Sequence, residues 1–275
     1  MITCDERYNL KHRESMVPET PEISETDSCP IKLTLDDLPK EVWVFVWAAV
    51  TSKDPLQIQG PVDAYQDEIN HCLQKTDEHG EVTISLNCPQ PYKVDGKTYS
   101  RHIHFIVEDR KEKVWTTMRT MRFVCPITKT DLETSLLKKN ALVIFSLPET
   151  YFKKDHIPGS LNLPREDLDG LSTEKKEEKV VQFLKTHITQ KDYPEIYQQV
   201  KVNKTLDLKD VPLITYCMNE SCKSSGRLLE HFFECGVNNV REYTEGLQGW
   251  RRKVSSLDVE EEKEKAKAKA KAKKT

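Results

Sequence analysis

Two places in the sequence combine residue types and spacings that can do chemistry. The first is Cys217 with the loop that follows it: Met218, Asn219, Glu220, Ser221, Cys222 and Lys223. A free thiol has a pKa of about 8.5, so only a small fraction is thiolate at neutral pH. A loop that runs into a helix start aims backbone N–H groups and the helix dipole at one spot, which lowers that pKa and holds an anionic sulfur or an oxyanion. Cys222 lies five residues further on, so a pliable loop lets it meet Cys217 as a resolving thiol that closes a disulfide. The plainer readings are that Cys217 is a small buried hydrophobe and that Cys222 faces the core under the loop. The second place is His102-Ile103-His104. On a strand, residues i and i+2 leave the same face, which suits two ligands of one metal and equally suits two surface histidines.

The elements needed to position these residues are legible as hydrophobic patterns. In the second half, "ALVIFS" (141–146) and "VPLITYC" (211–217) read as buried strands, and "NNVREY" as a further short one. Between the last two, "SSGRLLEHFFECG" places Leu228, Leu229, Phe232 and Phe233 on one helical face, with Gly236 as its stop. A charged surface helix is expected over 172–187, opened by Ser172 or Thr173 as cap. Strand, helix, strand implies a parallel α/β sheet with Cys217 at the carboxyl end of a strand, where reactive groups gather in such sheets. From Ile31 to Ile127 the texture differs. "EVWVFVWAAV", "EVTISLNC", "RHIHFIVED" and "VWTTMRTMRFVC" are strand-like runs broken by turn signals, without helical stretches, and they predict an all-β sandwich. Pro126 and a shift to helix-friendly residues mark the boundary.

Composition narrows the function classes. The chain has 275 residues, 37% hydrophobic and 32% charged, with a net charge of −3, so nothing global argues for nucleic acid or membrane as a partner. No apolar run approaches the length of about 18 residues needed to span a bilayer, and the N-terminus is too charged for a signal peptide. Eight cysteines in such a chain read as reduced thiols rather than a disulfide framework, and a cytoplasmic protein is expected. Residues 1–30 are polar and without apolar periodicity, and 255–275 are an acidic patch and a Lys-Ala repeat; disorder is expected at both ends. The organisation expected is a tail (1–30), a β-sandwich (31–128), an α/β domain (129–254) and a second tail (255–275).

"HIPGSLNLP" (156–164) followed by "LITYCMNESCKSSGRLLEHFFECGVNNVREYTEGLQGW" (213–250) resembles the rhodanese family. The shared features, in order, are a His-Ile-Pro-Gly turn, Tyr-Cys at a strand end, a Ser-capped helix, Gly-Val before a valine strand, and a Gly-x-x-x-Trp close. The resemblance implies that Cys217 accepts a sulfane sulfur as a persulfide and passes it to a thiophilic acceptor, with Met218 to Lys223 as the cradle. Its partners would be a small-molecule sulfur donor and a thiol acceptor, with no cofactor required. The sequence departs from the common loop of Cys, four residues and Arg-Ser: five residues separate Cys217 from Lys223-Ser224. That length resembles the cell-cycle dual-specificity phosphatases, but Lys223 is no bidentate arginine and Glu220 would repel a dianion. Phosphatase therefore ranks below sulfur transfer.

"TDEHGEVTISLNCPQPYKVDGKTYSRHIHFIV" (76–107) is similar to the core of the intradiol ring-cleaving dioxygenases, in fold an intradiol-dioxygenase/transthyretin-like sandwich. That family holds non-haem Fe(III) by two tyrosines and two histidines. The resemblance places Tyr92, His102 and His104 on three of those positions, and chain order makes Tyr65 the candidate for the fourth. Phenolate and imidazole suit a hard ferric ion. Arg101 adjoins His102 directly, so the family's arginine role is not carried over to it.

The leading expectation is thus a sulfurtransferase domain fused to an iron-binding, dioxygenase-like sandwich. The alternative is a catalytically inactive rhodanese and sandwich scaffold with a regulatory or binding role, favoured by the long, Lys-bearing loop with Glu220.

Overall fold

A computed structural model describes residues 31–65 and 70–252; both expected tails lie outside the described residues. The strands are β1 (Ile31–Leu35), β2 (Trp43–Ala48), β3 (His71–Lys75), β4 (Val82–Leu86), β5 (Tyr92–Val94), β6 (Lys97–Tyr99), β7 (His102–Asp109), β8 (Val114–Trp115), β9 (Arg119–Arg122), β10 (Leu142–Phe145), β11 (Leu161–Asn162), β12 (Leu213–Tyr216) and β13 (Val240–Tyr243). The α-helices are α1 (Pro61–Tyr65), α2 (Lys129–Lys138), α3 (Glu149–Lys154), α4 (Thr173–His187), α5 (Pro194–Tyr197), α6 (Ser224–Glu234) and α7 (Gly246–Arg251).

The N-terminal half is β-rich and antiparallel. β2 pairs with β3 on one side and β7 on the other, β9 continues beyond β7, and β1 pairs with β4 apart from them. The alternating positions Val44, Val46 and Ala48 of β2 and Ile103, Phe105 and Val107 of β7 meet Val82, Ile84 and Leu86 of β4 in one core, as period-two patterning demands. Two details depart from expectation. The run "VWTTMRTMRFVC" is two strands, because Val107 donates its N–H to the Thr116 hydroxyl (3.0 Å) and the chain jogs between β8 and β9. The half also contains a helix: α1, which Pro61 opens with its preset φ and without the backbone N–H that a first turn does not need.

In the C-terminal half the strand order is β11-β10-β12-β13, all parallel. Such a sheet must be covered on both faces. Leu142, Ile144, Leu213 and Val240 pack on one face against Val180 and Leu184 of α4 and Leu228, Leu229 and Phe232 of α6. Val143, Phe145, Ile214, Tyr216 and Tyr243 face the other way, against Leu132 of α2 and Leu247 of α7. α2 opens with a capping box between Thr128 and Asp131, and α4 with Ser172 accepting from the Lys175 N–H. α6 is not Ser-capped: Lys223 is its N-cap with no side-chain bond, and Ser225 instead holds Glu242 at 2.6 Å. Gly236 follows α6 in the left-handed region (φ 76°).

The two halves are packed together. Leu56 lies in the α/β core, the Asn238 amide donates to the Thr98 carbonyl (2.8 Å), Lys93 pairs with buried Asp210 (2.7 Å), and Arg122 stacks over the Phe233 ring at 4.4 Å. The expectation of uniformly reduced thiols is corrected. Cys88 after β4 is bridged to Cys125 after β9, and Cys217 is bridged to Cys222; their Cα separations of 5.9 and 6.2 Å lie within the reach of a disulfide. Among the described residues Cys72 and Cys235 remain thiols. No helix among the described residues is long and apolar enough to cross a membrane.

Candidate functional site

Cys217 is the first residue past β12, and the end of that strand is fixed from three sides. Ser146 donates both its N–H and its hydroxyl to the Tyr216 carbonyl, each at 3.1 Å. The Tyr216 hydroxyl lies 2.7 Å from Ser160 Oγ and accepts the Ile157 N–H at 3.0 Å, and burial pushes its pKa up to about 12. The His-Ile-Pro-Gly turn thus serves as the anchor of the strand that presents the cysteine. Asn162 donates to the carbonyls of Phe145 and Leu147 and holds β11 beside β10.

Beneath the loop, α7 begins at Gly246, whose N-terminal turn donates backbone bonds to the loop: Leu247 to the Cys217 carbonyl and Gln248 to the Met218 carbonyl, both 2.9 Å. A Cβ at Gly246 would sit 2.6 Å from the Cys217 oxygen and 2.7 Å from the Asn219 nitrogen, and its φ is 61°. Only glycine allows this approach. The sequence signal for it is the first residue of "GLQGW".

The loop turns tightly through Asn219. The Cys222 N–H is 3.1 Å from both the Asn219 carbonyl and its side-chain oxygen, which also takes the Ser221 hydroxyl at 2.9 Å. This turn folds Cys222 back over Cys217. Cys217 is 1% exposed, whereas Cys222 is half-buried and borders a cleft of about 390 Å³. Lys223 and Arg227 line the cleft together with Glu220, Glu230 and Glu242, so its charge is mixed rather than uniformly cationic. Glu220, Ser221 and Lys223 are exposed; Met218 and Asn219 are half-buried. The plainer placement of Cys222, facing the core, is not what the structure has: it closes on Cys217 and borders the cleft.

In the N-terminal half, Tyr65, Tyr92, His102 and His104 come together from three separate stretches of chain. All four are buried. The Tyr92 hydroxyl is 3.0 Å from His102 Nε2 and the Tyr65 hydroxyl 3.0 Å from His104 Nε2, while the two histidine rings lie 4.8 Å apart and the two tyrosine rings 5.4 Å apart. α1 delivers Tyr65 at its last residue, β5 delivers Tyr92, and β7 supplies both histidines from one face. His102 Nδ1 is 2.6 Å from the Ser100 carbonyl, an acceptor only, so Nδ1 carries the proton and Nε2 presents its lone pair to Tyr92. His104 Nδ1 is likewise anchored, 2.8 Å from Thr120 Oγ1. Burial lowers the pKa of His102, and burial reinforced by His102 lowers that of His104 to about 4, which keeps both imidazoles neutral. Neutral imidazoles oriented through Nδ1, facing two phenols, form a donor set that fits a hard trivalent ion. Among the described residues no group of three or more His, Cys, Asp or Glu side chains is placed to hold a metal ion, so the phenols are essential to this set.

The sequence reading missed the residues that join the two halves here. Arg101, next to His102, is buried and donates to Asn239 Oδ1 (3.0 Å) and the Val240 carbonyl (3.3 Å) of the other half. Its only sequence signal is an arginine at the mouth of an apolar strand.

Residues 131–253 match the model of the rhodanese-like domain. No curated protein matches the chain. Among solved structures, the BH2092 protein from Bacillus halodurans is 17% identical, covering 46% of this chain and 71% of its own, with a TM-score of 0.31. An uncharacterized protein from Saccharomyces cerevisiae is 17% identical over 46% of this chain and 90% of its own, with a TM-score of 0.29.

Proposed function

Residues 131–253 form a rhodanese-like domain, and we propose that it is a sulfurtransferase working through a persulfide on Cys217, with Cys222 as the resolving thiol. The observation that carries this reading is the pairing of Cys217 with Cys222 at the carboxyl end of β12. The Cys217 thiolate attacks the outer sulfur of a thiosulfate-type donor, forming Cys217–S–S⁻ and releasing sulfite. A thiophile such as cyanide then takes the outer sulfur and returns the thiolate. In its absence the Cys222 thiolate attacks Cys217 Sγ, forming the disulfide and expelling hydrosulfide. A small thiol entering the cleft reaches the half-buried Cys222 sulfur, forms a mixed disulfide there and frees Cys217 as thiolate.

This assigns a role to three residues of the loop and the cleft. Asn219 sets the turn that brings the two sulfurs together, and Lys223 and Arg227 offset the carboxylates of the cleft. The test is thiocyanate formation from thiosulfate and cyanide. Thiol-reduced protein is expected to be active and oxidised protein inactive, with Cys217→Ser silent in both states. Equal activity in Cys217→Ser would refute the assignment.

A second reading is a regulatory scaffold, favoured by the burial of Cys217 to 1% exposure and by the close packing of the two halves. In that case reduction changes conformation without giving turnover.

For the N-terminal half we infer a ferric ion held by Tyr65, Tyr92, His102 and His104. Such an ion would supply Lewis-acid and redox chemistry toward an aromatic diol, in keeping with the resemblance to intradiol dioxygenases. Ser100 and Thr120 orient the imidazoles, and the surrounding apolar residues exclude water. Iron reconstitution followed by metal analysis tests it: one iron per chain is expected, and metal-free protein would remove the inference.

A further inference from the structure

Between the two halves lies a cavity of about 160 Å³, distinct from both sites above. Its walls come from the N-terminal half (Gln90, Arg101) and from the α/β half (Asn140, Asn239, Arg241), at the end of the parallel sheet opposite Cys217. Two guanidinium groups, buried Arg101 and half-buried Arg241, therefore line one small cavity. Arg101 is 7% exposed, and its two terminal nitrogens are used by Asn239 and Val240, but its Nε has no partner. Arg241 uses one terminal nitrogen on the Pro126 carbonyl (3.2 Å), and its Nε too has no partner. Among the described residues neither arginine forms an ion pair; Asp131 acts on Arg241 only through space, and its carboxylate is engaged in the α2 capping box. Buried charge of one sign is costly unless a counter-charge accompanies it.

We propose that this cavity is a binding site for a small tetrahedral oxyanion of the phosphate or sulfate type, clamped between the two halves. Such an ion brings several acceptor oxygens to two unpartnered Nε–H donors and neutralises the pair. Two buried carboxamide oxygens, Gln90 Oε1 and Asn140 Oδ1, also lack partners there. A hydroxyl on hydrogen phosphate donates to one of them, or a half-turn of the amide presents NH₂ to the ion instead. Because each half contributes one arginine, the ion ties the halves together through a contact that neither completes alone.

The experiment is thermal unfolding and calorimetric titration of the full chain with inorganic phosphate, against sodium chloride at matched ionic strength. Wild-type protein is expected to bind one phosphate, with a saturable Tm rise of about 6 °C at a hundred-fold excess over Kd. Arg241→Met should lose the saturable component and keep only the shallow, non-saturating effect that phosphate exerts on any folded protein. Asn140→Asp supplies an internal carboxylate, so it should melt higher than wild type in chloride and no longer respond to phosphate. Cys217→Ser should respond as wild type does. A wild-type response that does not saturate, or a saturable response equal in wild type and Arg241→Met, would overturn the proposal.

Discussion

The Tyr216 hydroxyl lies 2.7 Å from Ser160 Oγ and accepts the Ile157 N–H, which ties the strand ending in Cys217 to the His-Ile-Pro-Gly turn. These two motifs are separated by nearly sixty residues and read in the sequence as independent marks; in the fold they are a single clamp. Tyr216→Phe keeps the ring packing but leaves Ser160 and the Ile157 N–H buried without this partner. It is expected to cost about 1–3 kcal/mol, read as a lower urea midpoint at unchanged m-value.

Cys222→Ser separates the two sulfur steps. With no second thiol to attack Cys217, the persulfide should persist for longer, sulfide release after thiosulfate should fall to background, and transfer to cyanide should remain. Sulfide release at the wild-type rate from Cys222→Ser would show that another thiol resolves the persulfide.

The four-residue cluster of the N-terminal half makes a graded prediction. His102→Ala removes a donor held by Ser100 and should lower iron content at least ten-fold. Tyr92→Phe should change the visible charge-transfer colour while circular dichroism stays that of wild type. Iron retained unchanged in His102→Ala would place the metal elsewhere.

Stability toward acid should depend on the surface between α4, α6 and the 165–169 turn. His231, 2.9 Å away, holds the Asp169 carboxyl below its ordinary value of 3.8, and Lys176, 2.6 Å away, holds Glu234 below 4.5. A depressed folded-state pKa gives stability that is present above the unfolded value and is lost as pH falls through the folded one. Stability should therefore be level near neutrality and decline below about pH 4.5, with a shallower decline in Asp169→Asn/Glu234→Gln. An acid limb unchanged in that double variant would contradict the assignment.

Sequence legibility followed the range of the interactions. β10 and β12 announced themselves as apolar runs because parallel strands are buried on both faces, and α4 and α6 because one face of each is continuous. Cys217 was readable from its place after such a strand. Hidden from the sequence was everything that depends on distant chain segments meeting. The Cys88–Cys125 bridge closes a loop whose ends carry no local signal, and Arg101 finds Asn239 across 138 residues. The α6 cap was misread for a local reason: Ser224 and Ser225 look like caps, but the Ser225 hydroxyl is taken by Glu242 on β13. Tyr65 was assigned by chain order alone, and its approach to His104 depends on α1, a helix with no periodic pattern because it is only five residues long.

The most direct test of sulfur transfer through Cys217 is intact-mass analysis of thiol-reduced Cys222→Ser protein after exposure to thiosulfate. The substitution removes the bridge that covers Cys217, and reduction keeps its thiol free. The account predicts a gain of one sulfur atom that maps to the peptide containing Cys217, disappears on adding cyanide and is absent from Cys217→Ser/Cys222→Ser. A mass that never changes, or a sulfur that maps to Cys72 or Cys235, would contradict it.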